Sequence, residues 1–133
     1  MIYDDLSTIA QSEFADIVTR VEPLGRRANT PLKLRLHLRD TTYIDVWFNP
    51  DGNEYAFHWE CRAVRGLLFR HDNAPDHPEV STHPKHFHNG SEANIEPSNL
   101  PDGPSAALRE FLNFVKGPQG QEIMKRYRFT FPN

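Results

Sequence analysis

The chain has 133 residues, of which 38% are hydrophobic and 25% are charged, and its formal net charge is −3. A chain of this length is typical of one domain, so we expect residues 1–133 to form a single domain. No apolar run approaches the roughly 18 residues of a membrane span, and we expect no signal peptide at the N-terminus. Cys61 is the only cysteine, which excludes an internal disulfide and favours a cytoplasmic location.

The charged residues are unevenly distributed along the sequence. Residues 20–39 contain six basic residues and one acidic residue, whereas residues 1–16 contain four acidic residues and no basic one. The negative net charge argues against a protein that coats nucleic acid through bulk electrostatics. A local basic face remains compatible with this composition.

Apolar residues recur every three or four positions along two segments, which is typical of helices with one buried face. The first segment predicts a helix over about residues 3–20, and the second predicts a helix over residues 105–116. Gly117 and Pro118 follow the second segment and predict its end. A last short helix is predicted near residues 119–126.

Four segments between these helices have strand patterns. In residues 32–39, leucines alternate with basic residues and a histidine, which predicts a strand with one buried face. Residues 42–48, 54–61 and 67–70 predict three further strands, and their short connections predict an antiparallel meander. Cys61 falls on the aromatic, buried face of its strand, which argues against a nucleophilic role. We therefore expect an α+β fold with an N-terminal helix, an antiparallel sheet of about four to five strands, and a C-terminal helix packed on the sheet.

Residues 72–104 contain six prolines and few large apolar residues, so we expect a long functional loop. Five of the seven histidines lie at or near its start, namely His71, His77, His83, His86 and His88. In an extended segment, His86 and His88 would face the same side, roughly 6.5–7 Å apart. A phosphate fits between two groups at this separation. One imidazole would act as a base toward a ribose 2′-hydroxyl and the other as an acid toward the leaving 5′-oxygen.

Neighbouring residues offer supporting chemistry. Arg70 and Lys85 flank the cluster and are candidates to stabilise a charged transition state. Asp72 is a candidate to orient a histidine, and Asn73 is a candidate to bind substrate. Arg35, on the basic face of the first predicted strand, is a candidate contact for RNA.

Other interpretations use the same residues. The pair His86 and His88, with His77, His83 or Asp72, could supply three metal ligands, although no HExxH or CxxC spacing is present. Histidines in a proline-rich loop are otherwise often exposed turn residues. That interpretation applies best to His71 and His83 taken singly, and a site role or a packing role is open for His58.

Three segments resemble the TumE-type toxin family of bacterial and archaeal toxin–antitoxin modules. They read YAFHWE, LLFRHDNAPDHPEV and THPKHFH, within about residues 32–90. The resemblance assigns functional positions to His58, Arg70, Asp72, Asn73, His77, His86 and His88. The chain departs from the family at His71 and His83, where members have aromatic residues, and at Asp76 and Lys85, where members have histidines.

The resemblance implies a small cytoplasmic toxin that is paired with a helix-turn-helix antitoxin. We expect a metal-independent endoribonuclease that cuts RNA without a cofactor. Its expected catalytic residues are His77, His86 and His88 with Arg70, Asp72 and His58. The alternatives are a metal-dependent phosphodiesterase that uses the same histidines, and a non-catalytic domain that binds a partner through the loop.

Overall fold

The computed structural model describes residues 2–26, 28 and 30–117 of the chain. Three helices are present in these residues: α1 (Ile2–Glu13), α2 (Arg62–Arg65) and α3 (Pro104–Lys116). One sheet contains β1 (Val18–Leu24), β2 (Lys33–Leu38), β3 (Tyr43–Phe48), β4 (Tyr55–Cys61), β5 (Leu67–Asp72), β6 (His86–Gly90) and β7 (Ile95–Pro97). The strands lie side by side in chain order and every neighbouring pair is antiparallel.

Alternating side chains give the sheet one apolar face and one polar face. The apolar face carries the buried leucines of β2 and the aromatic residues of β4, and α1 and α3 pack on it. Phe111 of α3 contacts Phe57 at a ring-centroid distance of 6.1 Å, and Phe114 contacts Phe69 at 5.6 Å. Both long helices therefore cover the same face, and neither covers the polar face.

The expected α+β arrangement is confirmed, and α3 lies within one residue of its predicted bounds. The predicted N-terminal helix is too long, because α1 ends at Glu13 and residues 18–24 form β1 instead. After α1 the backbone turns, with the amides of Ile17 and Val18 both donating to the carbonyl of Phe14. Pro23, which lacks an amide hydrogen, fits β1 because this strand lies at the edge of the sheet.

The predicted number of strands is too small, since the sheet has seven. Two of the additional strands, β6 and β7, lie inside residues 72–104, which the sequence suggested were a loop. Phe87 is the only large apolar residue of β6, so this strand lacks the apolar alternation that revealed β2. The short helix predicted near residues 119–126 lies outside the described residues.

Candidate functional site

Strands β4, β5 and β6 bring the predicted site residues together on the polar face. His58 lies opposite Arg70 in the β4–β5 register, and Arg70 lies opposite His88 in the β5–β6 register. Asp72 lies opposite His86 in the same pair of strands. Since residues two apart on a strand share a face, these five side chains form one patch at the centre of three adjacent strands.

Backbone carbonyl groups fix the orientation of the two β6 imidazoles. Nδ1 of His86 lies 3.1 Å from the carbonyl oxygen of Pro84, and Nδ1 of His88 lies 2.9 Å from that of Glu92. A carbonyl oxygen can only accept, so each Nδ1 carries the hydrogen and donates it. The two Nε2 atoms lie 3.1 Å apart, which requires a hydrogen or a metal ion between their lone pairs.

This arrangement corrects the predicted spacing of His86 and His88. The expected 6.5–7 Å is the separation of two side-chain origins on a strand, but the rings converge to a centroid distance of 4.8 Å. A phosphate does not fit between Nε2 atoms that are already 3.1 Å apart. The space between the two rings is therefore closed to a phosphate, and only the space in front of the pair is open.

Asp72 supplies a buried negative charge next to the imidazole pair. Its Oδ1 lies 3.1 Å from Nε2 of His86, and its Oδ2 lies 3.7 Å from Nε2 of His88. The same carboxylate accepts hydrogen bonds from Nε of Arg70 and from the amide of Ala74, both at 3.0 Å. Four contacts therefore hold the Asp72 carboxylate in one orientation beside the rings.

Arg70 is held between carboxylates. Its Nη1 donates to Oε1 of Glu92 at 2.6 Å, and its Nη2 donates to Oε2 of Glu92 at 3.0 Å. Burial disfavours the charged guanidinium, but the hydrogen bonds that it donates to Glu92 and Asp72 outweigh this effect and raise the pKa of Arg70. His58 lies beside this group, with Nδ1 3.3 Å from Nη1 of Arg70 and Nε2 2.9 Å from Oε1 of Glu60.

His77 approaches the imidazole pair from the irregular segment after β5. Its ring centroid lies 4.7 Å from that of His86 and 5.7 Å from that of His88. Its Nδ1 lies 3.3 Å from Oε1 of Glu79. One nitrogen from each of the three rings lies within 4.8 Å of the others, and we call His77, His86 and His88 the histidine triad. Burial lowers the pKa of His88.

A pocket of about 440 Å³ opens in front of the triad on the polar face. The triad, Arg70 and Asp72 line one part of it, and Trp47 of β3 lines another. In the register, Trp47 lies opposite Ala56, which lies opposite Asp72. The short side chain of Ala56 leaves the space between the tryptophan and the Asp72 carboxylate open.

The family comparison decides the identity of the chain. Residues 6–119 match the family model described as Toxin TumE. The chain belongs to the TumE toxin family. No curated protein and no solved structure matches it with significance. The match to the TumE family spans every strand of the site.

Membership of a toxin family implies that the protein has an antitoxin partner. Within the described part of this TumE-family chain, no helix is both long enough and apolar enough to cross a membrane.

Three other predicted residues of the TumE-family chain lie on the site's margin or away from it. Asn73 lines the pocket, but its side-chain amide is hydrogen-bonded to the backbone. It donates to the carbonyl of Asn53 at 2.7 Å and accepts from the backbone amide of Tyr55 at 3.0 Å. Lys85 does not line the pocket, and its Nζ donates to the carbonyl of Leu100 at 2.6 Å.

Arg35 shares the polar face but lies in β2, three strand spacings or roughly 14 Å from β5. Its Nε and Nη2 donate to the Asp45 carboxylate at 2.8 and 2.9 Å, and its guanidinium lies 3.9 Å above the ring centre of Tyr43. Arg35 therefore lies outside the pocket, on the surface that leads away from it.

The two histidines at which the chain departs from the family lie outside the triad. His71 points to the apolar face, where its ring stacks on Phe87 at 4.1 Å and its Nδ1 lies 2.7 Å from Oγ of Ser98. Burial lowers the pKa of His71 to about 4, so its ring is neutral at pH 7. His83 is exposed. Burial also raises the pKa of Cys61 to about 12, which leaves the thiol protonated and unreactive.

Sequence reasoning missed Glu92, Glu60 and Trp47, which contact or line the site. A signal for Glu92 was present, because Asn89-Gly90 is a strong hairpin signal and Gly90 adopts the left-handed region at φ 93°. A hairpin at this point turns the chain back beside β6 and brings the following residues to His88. No comparable signal marks Trp47, whose place beside the site depends on the register of β3 and β4.

Proposed function

We propose that this TumE-family toxin is an endoribonuclease and that it cuts RNA in the pocket in front of the histidine triad. The observation that supports this proposal is the convergence of three imidazoles and the Arg70 guanidinium on one pocket of the sheet face that α1 and α3 leave open. Imidazoles transfer protons near neutral pH, and a guanidinium stabilises the charge of a phosphate in its transition state.

The reaction that fits these groups is an internal transfer within RNA. A triad nitrogen accepts the proton of a ribose 2′-hydroxyl, and the 2′-oxygen attacks the adjacent phosphorus. The bond from phosphorus to the 5′-oxygen breaks, and that oxygen takes a proton from the site. The products are a 2′,3′-cyclic phosphate and a 5′-hydroxyl, so no oxidant or second substrate is needed.

Two routes to this reaction use the same pocket. In the metal-independent route, His86 and His88 act as one group that shares a proton, and His77 is the second proton-transfer group. In the metal-dependent route, the three rings hold an ion that supplies positive charge beside the phosphate. One observation favours the second route: the Nδ1 atom of every triad histidine already faces an oxygen acceptor.

The proposed partner is a helix-turn-helix antitoxin that neutralises the toxin by covering the polar face. The support for this is the position of the pocket, which RNA can reach only from that face. A non-catalytic toxin that acts through partner binding alone would show no turnover of RNA.

The test is cleavage of a long RNA by the purified wild-type protein and by two variants, His77→Ala and Arg70→Ala. We expect both variants to lose most of the cleavage activity. The matched control is His37→Ala, because His37 lies on the same face in β2 and pairs with Glu22 at 2.8 Å. Cleavage that is equal in all four proteins, or absent from the wild type, overturns the proposal.

A further inference from the structure

In each of the three triad histidines, Nδ1 lies next to an oxygen acceptor. Nδ1 of His86 and of His88 donates to a backbone carbonyl, and Nδ1 of His77 lies next to the Glu79 carboxylate. The Nε2 atoms of His86 and His88 are left facing each other. We propose that the triad is a binding site for one divalent transition-metal ion of the zinc class. The site's catalytic role rests on the proposed function, whereas its ability to bind the ion does not.

The spacing of the nitrogens suits a shared ion. A tetrahedral zinc ion lies about 2.0–2.1 Å from each imidazole nitrogen, which places its ligand nitrogens roughly 3.3 Å apart. Nε2 of His86 and Nε2 of His88 are already 3.1 Å apart. The triad nitrogens all lie within 4.8 Å of one another, so a shift of His77 by about 1–1.5 Å completes the geometry. His77 lies in the irregular segment between β5 and β6, where such a shift disturbs no strand.

The bonds at Nδ1 have the form that metal-binding histidines use. A histidine that holds a metal through one nitrogen usually donates its other N–H to a carbonyl or a carboxylate, which fixes the ring and the tautomer. His86 makes this bond with the carbonyl of Pro84, just before β6, and His88 makes it with the carbonyl of Glu92, in the turn after β6. With each Nδ1 donating, Nε2 is the nitrogen of each ring that is left to bind an ion, and the two Nε2 atoms lie 3.1 Å apart.

The charges around the triad favour a cation. The Asp72 carboxylate lies 3.1 Å from Nε2 of His86, and its side chain is buried. Glu79 lies behind His77, and Glu92 lies over Arg70. Three carboxylates against one guanidinium leave a net negative surrounding, which a divalent ion neutralises.

The ligand set also identifies the class of ion. Three neutral imidazoles suit Zn²⁺, Co²⁺, Ni²⁺, Cu²⁺ or Fe²⁺, whereas Mg²⁺ and Ca²⁺ prefer oxygen ligands. All three rings line the pocket, so an ion held by them would be accessible from it. Three protein ligands with one open position are typical of catalytic zinc sites, where a phosphate oxygen or water completes the coordination.

The test is metal binding by the full chain, prepared without a histidine tag and freed of metal with a chelator. We expect one equivalent of Zn²⁺ to bind by calorimetry, one equivalent of Co²⁺ to give a visible absorption band, and Mg²⁺ to give neither signal. His77→Ala should weaken Zn²⁺ binding at least tenfold, and because His77 lies outside the strands this variant keeps the fold. His86→Ala should have the larger effect, and His37→Ala should bind like the wild type. Circular dichroism checks the folding of each variant.

The absence of a stoichiometric site, or Zn²⁺ binding that His77→Ala leaves unchanged, overturns the proposal. Cleavage of RNA by the same metal-free preparation separates the two proposals. A protein that binds one Zn²⁺ at the triad but never cuts RNA keeps the metal site and loses the proposed function. A protein that cuts RNA but binds no metal keeps the proposed function and loses the metal site.

Discussion

Glu92 covers the terminal nitrogens of Arg70, with one carboxylate oxygen on each. The guanidinium therefore already holds a planar, negatively charged group at the place where it would receive a phosphate. The backbone of Glu92 has a separate part in the site, because its carbonyl accepts the hydrogen of Nδ1 of His88. One residue of the β6–β7 turn thus orients an imidazole and occupies the guanidinium that the proposed RNA substrate would contact.

The first prediction is that Glu92→Gln binds RNA more tightly than the wild type. The exposed ion pair is worth only a fraction of a kcal/mol to about 1 kcal/mol, so its loss should lower KM by about two- to fivefold. The substitution keeps the backbone carbonyl that orients His88. The measurement is the initial rate of RNA cleavage against RNA concentration.

Glu96→Gln is the control for this prediction, because Glu96 lies in the same hairpin and contacts Asn89 at 3.1 Å. Its KM should stay at the wild-type value. A KM for Glu92→Gln that is equal to or above the wild-type value would show that the carboxylate does not compete with the phosphate.

The second prediction concerns Arg70. Arg70→Ala removes the guanidinium that pairs with Asp72 and Glu92 and that would stabilise the phosphate, so kcat should fall by about 10²–10³-fold. Arg70→Lys keeps the charge but loses the paired donors, so its kcat should lie between those of the wild type and Arg70→Ala. Arg109→Ala is the control, since Arg109 pairs with Glu13 on the helix surface. Full activity of Arg70→Ala would exclude a role in phosphate binding.

The third prediction concerns Lys85, for which the sequence pattern and the structure predict different roles. Lys85 flanks the histidines in sequence, but its ammonium is bonded to the carbonyl of Leu100 and does not line the pocket. Lys85→Ala should therefore change kcat/KM by less than about twofold while lowering the free energy of unfolding by about 1 kcal/mol. Kinetics and urea denaturation measure the two effects. A large loss of kcat/KM with unchanged stability would place Lys85 at the substrate after all.

The fourth prediction follows from His71. Its pKa is about 4 in the folded chain, because burial disfavours the charged ring, and about 6.5 in an unfolded chain. Between pH 6.5 and pH 4 the unfolded state binds more protons, so the free energy of unfolding falls as the pH is lowered through this range. The loss from His71 alone should approach about 3 kcal/mol at pH 4 and should be absent above pH 7.

Urea denaturation of the wild type and His71→Phe at several pH values measures this effect. Phenylalanine retains the stacking on Phe87 but does not titrate, so the variant should lose less stability than the wild type on acidification. Identical pH dependence in the two proteins would contradict the buried, neutral state of His71.

The central strands could be predicted from sequence because their side chains alternate clearly between two faces. In β2, Leu34, Leu36 and Leu38 are buried and the intervening residues are not. β1 was hidden, because Ile17, Val18 and Val21 continue a spacing that also fits a helix. β6 was hidden because Phe87 is its only large apolar residue, whereas His86 and His88 lie on the polar face.

The composition of the site was predictable to a similar extent. Clustering in sequence singled out Arg70, Asp72, His86 and His88, but their pairing across β5 and β6 was not predicted, because residues 72–104 were expected to be a loop. The 3.1 Å contact between the two Nε2 atoms depends on ring orientation, which the carbonyls of Pro84 and Glu92 set. Residue spacing carries no information about such bonds.

The measurement that tests the account most directly is an analysis of the ends produced from an RNA and from the DNA of the same sequence. The wild-type protein should cut the RNA and leave 2′,3′-cyclic phosphate and 5′-hydroxyl ends, and it should leave the DNA intact because DNA lacks the attacking 2′-hydroxyl. His86→Ala should leave both intact. Cutting of the DNA, or RNA fragments that carry 5′-phosphates, would contradict the internal transfer that the triad is proposed to perform.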